Sequence, residues 1–215
     1  MYRTRIKICG ITRQSDALTA INAGVDALGL VFYPGSARAL SLADAEVVVR
    51  GLPPLVTLVG LFVDAEAGFI EEACQRLPLG LLQFHGEEAE DFCRGFSRPW
   101  MKALRVADDS DVPAMIEQHP AAAAILLDTW QAGRPGGTGE SFNWRQVPAN
   151  SARPLVLAGG LNAANVGRAI SMTHPFAVDV SGGVEESPGI KSREKIEQFV
   201  AAVHAEKQRV VTVDE

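Results

Sequence analysis

Two glycine pairs near the C-terminal end of the chain are placed to bind an anion. Each ends a short apolar run: Val156–Leu161 reads Val-Leu-Ala-Gly-Gly-Leu, and Val178–Val184 reads Val-Asp-Val-Ser-Gly-Gly-Val. A missing Cβ lets backbone N–H groups approach an anion, and a following helix N-terminus adds a favourable partial charge. One pair alone could be simple turn punctuation, but two matched pairs indicate one bound phosphate group. The predicted phosphate-binding residues are Gly159, Gly160, Ser181, Gly182 and Gly183.

Two side chains could move protons. Cys9 is either a small buried hydrophobe, the usual fate of a free cysteine, or a thiolate whose pKa is lowered by Lys7 on the same strand face. Asp128 follows the apolar run Ile-Leu-Leu and is either a loop or capping residue or a partly desolvated carboxyl that acts as an acid. One base and one acid suit a proton shift within a single substrate, whereas no nucleophile–His–carboxylate set for hydrolysis is apparent.

Other polar residues leave alternatives open. Arg38 is either a solvated surface residue or a fork of donors for a substrate carboxylate. His85 could orient a substrate hydroxyl or cap a strand, and Lys7 is a further candidate substrate contact. Lys102 lies in a predicted strand, where it could form a Schiff base, as in an aldolase, or be structural. The loop Gly133–Gly139 could close over a ligand or be a plain surface loop.

Apolar runs and turn signals position these residues at the ends of strands. The predicted strands are Arg5–Cys9, Asp26–Phe32, Leu55–Val63, Gly80–Phe84, Trp100–Val106, Ala122–Leu127, Pro154–Leu157 and Phe176–Val180. The predicted helices are Thr12–Gly24, Ser41–Arg50, Asp64–Arg76, Glu87–Phe96, Asp108–Gln118, Phe142–Gln146, Asn162–Ile170 and Ser192–Glu206. The strands are apolar on both faces, as in a parallel sheet that helices cover.

Eight alternating strands and helices predict an α/β protein that is a single-domain (β/α)8 TIM barrel over residues 1–215, with 207–215 as a frayed tail. The chain has no apparent domain linker, and no GxGxxG motif follows the first strand. Both observations disfavour the alternative of an open doubly wound sheet. Barrel active sites lie at the carboxyl ends of the strands, and a phosphate is commonly held after strands seven and eight. The two glycine pairs fall at that place.

Composition narrows the class of protein. The net charge is −6 without a basic stripe, which argues against a nucleic-acid partner. Three scattered cysteines indicate neither a disulfide framework nor a zinc site, and no metal is expected. Neither a signal segment nor a membrane-spanning run is apparent, so no membrane partner and a cytoplasmic location are expected. No nucleotide motif is present, and no cofactor is expected.

Motifs along the whole chain, in order, together resemble phosphoribosylanthranilate isomerase, a family of tryptophan biosynthesis. They are Lys7–Thr12 (Lys-Ile-Cys-Gly-Ile-Thr), Phe32–Arg38, Gln83–Gly86, Leu127–Asp128, Gly136–Gly139 (Gly-Gly-Thr-Gly), Leu157–Leu161, Asp179–Glu185 and Pro188–Lys191. The first motif and Gly-Gly-Thr-Gly are specific for this family in combination.

The resemblance implies a cofactor-free barrel that converts N-(5-phosphoribosyl)anthranilate to 1-(2-carboxyphenylamino)-1-deoxyribulose 5-phosphate, an Amadori rearrangement. It implies that Asp128 protonates the furanose oxygen, that Cys9 removes the C2′ proton and that Arg38 holds the anthranilate carboxylate. The glycine loops would hold the phosphate. The expected partner is this phosphoribosyl substrate, with the protein a monomer or homodimer.

Four positions depart from the family pattern. Family members often carry Ser-Ser-Gly-Val where this chain has Ser-Gly-Gly-Val at residues 181–184, so Gly182 stands in place of the second serine. Ser192 stands where an acidic residue is usual, and Glu140 and Asn143 stand where lysine and aspartate are frequent. These changes concern affinity and loop closure more than the acid or base. Another phosphosugar lyase or aldolase, or a catalytically silent phosphosugar-binding barrel, remains the alternative.

Overall fold

Eight parallel strands close into a barrel in chain order in the computed structural model, which describes residues 3–129 and 143–206. The strands are β1 (Arg5–Cys9), β2 (Ala27–Val31), β3 (Thr57–Phe62), β4 (Leu81–Phe84), β5 (Trp100–Val106), β6 (Ala124–Thr129), β7 (Leu155–Leu157) and β8 (Ala177–Val180). The ring closes because β8 pairs with β1, where Lys7 lies opposite Asp179. The predicted (β/α)8 barrel is confirmed.

Among the residues described, seven α-helices follow the strands. They are α1 (Gln14–Ala23), α2 (Leu42–Val49), α3 (Ala67–Arg76), α4 (Glu90–Cys93), α5 (Val112–Glu117), α6 (Val166–Thr173) and α7 (Arg193–Ala205). Between β6 and β7, the described residues contain one helix, the 3-10 helix Trp144–Gln146, where a short helix was predicted over Phe142–Gln146. The predicted loop Trp130–Glu140, including Gly133–Gly139, and the tail 207–215 lie outside the described residues. In the part of the chain that is described, no helix is both long and apolar enough to cross a bilayer.

Several predicted helices begin too early, and side-chain hydrogen bonds to the backbone explain two of these differences. The predicted helix from Glu87 begins at Glu90, because the carboxylate of Glu88 accepts backbone N–H groups of Asp64 and Gly86 and holds this segment as a loop. The predicted helix from Asn162 begins at Val166, because the Asn165 side chain accepts the Asn162 N–H and fixes a preceding turn. Local side-chain bonds of this kind compete with helix formation.

A hairpin after β8 was not predicted. It pairs β9 (Glu185–Ser187) with β10 (Ile190–Lys191) in antiparallel fashion. Pro188 and Gly189 form the connection, and Gly189 has φ +83°, a conformation that favours glycine. Pro-Gly is a strong turn signal, so this dipeptide could have revealed the hairpin.

Two cores lie on opposite faces of the sheet. The barrel interior is filled by Val59, Met101, Ala103, Ala124, Leu126, Val156, Ala158 and Ala177. The larger core lies between the sheet and the helices and contains Phe62, Phe84 and Phe199 among its largest side chains. Because strand side chains alternate between faces, Met101 and Ala103 point into the barrel while Lys102 points toward the helices.

Leu82 is completely buried in the outer core, so we expect Leu82→Ala to lower the free energy of unfolding by about 3 kcal/mol or more, through lost burial and a cavity. The matched control is Leu18→Ala, whose side chain is exposed and should cost less than about 1 kcal/mol. Urea denaturation followed by circular dichroism measures both. Equal losses in the two variants would contradict the assignment of the outer core.

Candidate active site

A cavity of about 300 Å³ opens at the carboxyl ends of the barrel strands. All the predicted site residues except Lys7 line it: Cys9, Arg38, His85, Asp128, Gly159, Gly160, Ser181, Gly182 and Gly183. They come from six βα units that the barrel brings to one edge of the sheet. The cavity therefore combines a thiol, carboxyl groups, a guanidinium and glycine-rich loops.

Cys9 is a buried thiol at the end of β1. Its side chain packs with Val31 and Leu61, and the residue is 6% exposed. Burial raises the pKa of the Cys9 thiol by more than the neighbouring Lys7 ammonium lowers it. Of the two alternatives for Cys9, this direction favours a buried thiol over a resting thiolate, and Cys9 lines the cavity.

Lys7 lies beneath the cavity in a buried ion pair. Its Nζ donates a hydrogen bond to Asp179 Oδ1 at 2.9 Å, and both side chains are less than a tenth exposed. Asp179 lines the cavity, whereas Lys7 does not. The predicted substrate contact of Lys7 is corrected to an indirect role through Asp179. An aspartate flanked by valines in a buried strand is the signal that could have identified Asp179.

Asp128 lies at the end of β6 beside His85. Its Oδ1 accepts the Thr129 backbone N–H, and its Oδ2 is 3.3 Å from His85 Nε2, without the alignment of a hydrogen bond. On the other side of the ring, Gln83 Nε2 is 3.2 Å from His85 Nδ1. A Gln83 amide that donates to Nδ1 leaves the ring proton on Nε2, facing Asp128. His85 is thus positioned next to the candidate acid.

Arg38 already binds one carboxylate of the chain. Its Nε and Nη2 each donate to Glu185 at 2.7 Å, a two-point ion pair that the sequence did not reveal. Within residues 3–129 and 143–206, no hydrogen bond engages its Nη1, and Arg38 lines the cavity. A guanidinium has five N–H donors, so the edge formed by Nη1 and Nη2 remains for an external carboxylate.

The two glycine loops contact each other. A Cβ at Gly183 would overlap the carbonyl oxygen of Leu161, and a Cβ at Gly159 would overlap Thr129. Gly159 and Gly160 also have φ of +82° and +62°, which side chains rarely adopt. After the first pair, α6 begins only at Val166; after Ser181, a 3-10 helix begins at Gly182. The glycines thus bring two stretches of backbone together at the cavity wall.

Lys102 faces away from this cavity. Its Nζ donates to the Gly86 carbonyl and to Glu88 Oε2, both at 2.7 Å, on the outer side of β5. A lysine with that orientation cannot form a Schiff base with a ligand at the barrel mouth. The structure therefore contradicts the aldolase alternative based on Lys102.

The described residues contain no group of three or more His, Cys, Asp or Glu side chains placed to hold a metal ion. What the mouth does contain is a carboxyl, a thiol and a two-loop glycine cradle. This combination defines a (β/α)8-barrel protein with a thiol, a carboxyl and two glycine-rich loops at the mouth, where the active sites of such barrels lie. A family model described as N-(5'phosphoribosyl)anthranilate (PRA) isomerase matches residues 6–202. The chain belongs to this family.

Individual relatives agree over nearly the whole length. The N-(5'-phosphoribosyl)anthranilate isomerase of Pseudomonas putida (strain GB-1) is 54% identical over 203 residues, covering 94% of this chain and 98% of the relative. A phosphoribosyl anthranilate isomerase solved with reduced 1-(o-carboxyphenylamino)-1-deoxyribulose 5-phosphate is 38% identical with a TM-score of 0.84, covering 94% and 99% of the two chains. A solved monomeric form of the dimeric enzyme from Thermotoga maritima is 37% identical with a TM-score of 0.81, at the same coverage.

Because Gly183 packs directly on Leu161, we expect Gly183→Ala to separate the two loops and to weaken inorganic phosphate binding by about tenfold or more. The control is Gly68→Ala, the same change at an exposed glycine without positive φ and outside the cavity, where a Cβ would meet nothing within 4 Å; it should bind phosphate as the parent protein does. Thermal stabilisation by phosphate measures the effect, because a ligand that binds the folded state raises its stability. Equal phosphate affinity in Gly183→Ala and the parent would contradict this role of the two loops.

Proposed function

We propose that this chain converts N-(5'-phosphoribosyl)anthranilate to 1-(2-carboxyphenylamino)-1-deoxyribulose 5-phosphate in L-tryptophan biosynthesis. Family membership supports the reaction, and the observation that carries the mechanism is the single cavity that Cys9 and Asp128 share. The reaction is an isomerisation that moves protons within one substrate, so its atoms and electrons balance without a cofactor.

The substrate carries an anion at each end. We assign the 5′-phosphate to the loops at Gly159-Gly160 and Ser181–Gly183, where unhindered backbone approaches the cavity. The anthranilate carboxylate is assigned to the remaining edge of Arg38, which matches a carboxylate in shape. The ribose then lies between these ends, within reach of Cys9 and Asp128.

Asp128 and Cys9 each carry out one proton transfer, and a further proton moves from the C2′ hydroxyl to C1′ in the final tautomerisation. Asp128 donates a proton to the furanose ring oxygen, the C1′–O bond breaks, and the nitrogen lone pair forms an iminium. Cys9 then removes the C2′ proton, giving an enolamine that tautomerises to the ketone. Both groups act as general acid or base at stated atoms, which typically contributes 10²–10⁴-fold each. His85 lies beside Asp128 and is assigned a contact with the substrate near the ring oxygen.

The active form needs a protonated Asp128 and an ionised Cys9. In this form the two side chains together hold one proton, and they also hold one proton when Cys9 is a thiol and Asp128 a carboxylate. The two forms therefore interconvert when that proton moves between the side chains. The fraction of active enzyme then stays constant with pH as long as the pair holds one proton. A buried thiol is compatible with a base for this reason.

We expect Cys9→Ser and Asp128→Asn each to lower kcat by about 10²-fold or more while the protein stays folded. The assay follows the loss of substrate fluorescence with circular dichroism as the folding check. Matched controls are Cys74→Ser and Asp109→Asn, which make the same chemical changes outside the cavity and should keep parental rates. Near-parental rates in both site variants would refute the mechanism, and no turnover by the parent protein would favour a catalytically silent barrel.

Because burial raises the pKa of Cys9, the pair keeps its proton into more alkaline solution. We expect kcat/KM to fall on the alkaline side only above the ordinary thiol pKa of about 8.5. The absorbance of the thiolate, taken as the difference between the parent and Cys9→Ser, should rise over the same pH range. A thiolate signal already present at neutral pH would contradict the assigned state of Cys9.

We propose that the partner is the small-molecule substrate and that neither a nucleic acid nor a membrane is bound. Every proposed site residue comes from one barrel, so a monomer is sufficient, and we propose a monomer or homodimer. We also propose a cytoplasmic location. All three cysteines of the chain are free thiols, which suits a reducing compartment.

A further inference from the structure

A buried carboxylate in the hairpin after β8 binds two cations. Glu185 accepts hydrogen bonds from Nε and Nη2 of Arg38 and from Nζ of Lys191, each at 2.7 Å. The backbone N–H of Gly189 donates to the same carboxylate at 3.3 Å. The Glu185 side chain is only 5% exposed. Every carboxylate oxygen is therefore engaged within the chain.

Lys191 extends this cluster to the phosphate loop. Its Nζ lies 3.2 Å from the carbonyl oxygen of Ser181 and 3.4 Å from the Ser181 hydroxyl oxygen, and its side chain is fully buried. Neither Glu185 nor Lys191 lines the cavity, whereas Arg38 and Ser181 both do. Glu185 therefore lies behind the cavity wall and connects Arg38, through Lys191, with the turn at Ser181.

The negative charge of Glu185 opposes the proposed binding of two anionic groups at this site. Burial alone would raise the pKa of Glu185, but the hydrogen bonds from Arg38 and Lys191 lower it, so the carboxylate is ionised at neutral pH. A negative charge behind a wall that binds two anionic groups weakens their attraction by Coulomb repulsion. If charge alone decided the affinity, an uncharged residue at position 185 would strengthen substrate binding at the site.

We propose that Glu185 is a positioning residue that couples the two anion-binding ends of the site, holding Arg38 for the substrate carboxylate and, through Lys191, the Ser181 turn for the phosphate. This proposal rests on the proposed function, because it takes Arg38 and Ser181 as those two ends. Glu185 touches neither the substrate nor the reacting atoms.

Glu185→Gln separates positioning from charge by the sign of its effect. The amide keeps the shape of the side chain but presents an NH2 group to the donors of Arg38 and Lys191. Both cations are then left without a carboxylate partner. If Glu185 positions the two ends, both inorganic phosphate and anthranilate should bind about tenfold more weakly than to the parent protein. In turnover, KM should rise by about tenfold with kcat changed less than about threefold, the pattern expected for lost uniform binding. If only charge matters, both anions should bind more tightly.

Two further variants complete the test. Glu186→Gln makes the same change at the adjacent, exposed residue and should leave both affinities unchanged. The double variant Glu185→Gln/Lys191→Met removes one negative and one positive charge, so the net charge of the cluster stays constant. It should still bind both anions more weakly, and it replaces the single variant if Glu185→Gln does not fold by circular dichroism.

Unchanged or tighter binding of both anions in folded Glu185→Gln or the double variant overturns the proposal. Weakening at one end only also overturns it, because the residue would then serve that end alone. The binding measurements use phosphate and anthranilate, so they do not depend on turnover. A parent protein that binds both anions but does not convert the substrate would refute the proposed function and leave the test of Glu185 intact.

Discussion

Lys7 and Asp179 form a buried ion pair where β8 pairs with β1 and the barrel closes. Each charge would be costly to bury alone, and losing one partner of such a pair typically costs about 3–5 kcal/mol. Slipping the strands by one residue would place one of these charges in the apolar core between sheet and helices, since successive side chains face opposite sides. The pair thus fixes the register that brings Cys9, two residues after Lys7, into the same cavity as Ser181.

Once the register is fixed, close backbone contacts shape the mouth. A Cβ at Gly10 would clash with the Arg38 side chain and lie 3.0 Å from Ser181 Oγ. Gly183 packs on Leu161 in the same way, so the loops after β7 and β8 form one wall. The two glycine pairs meet different requirements: positive φ at Gly159 and Gly160, and space at Gly183. Packing and backbone conformation therefore require glycine at these places independently of the proposed anion binding.

Sequence patterns predicted the parts of this structure that depend on local order. The predicted bounds of β1, which rest on period-two alternation, and those of β5 match the observed strands, and strand ends placed Cys9, Asp128 and the glycines at one edge. Spacing does not specify the partner of a charge across the fold. Arg38 and Glu185 are 147 residues apart, and that pairing became visible only with the hairpin in place. A strand pattern likewise shows which face Cys9 occupies but not how completely its neighbours exclude water, so spacing alone left the thiol and thiolate alternatives open.

The pairing of cations around the barrel mouth fits the proposed chemistry better than a strongly positive pocket would. Lys7 is paired with Asp179, and Arg38 and Lys191 share Glu185. The proposed reaction passes through an iminium cation, which an unpaired ammonium nearby would destabilise by Coulomb repulsion. Substrate anions must nevertheless be held, and neutral backbone N–H groups in the glycine loops can do so without adding a full positive charge. Anion binding thus favours positive charge at the barrel mouth, whereas the proposed iminium cation disfavours it. The buried carboxylates that pair the cations are compatible with both requirements.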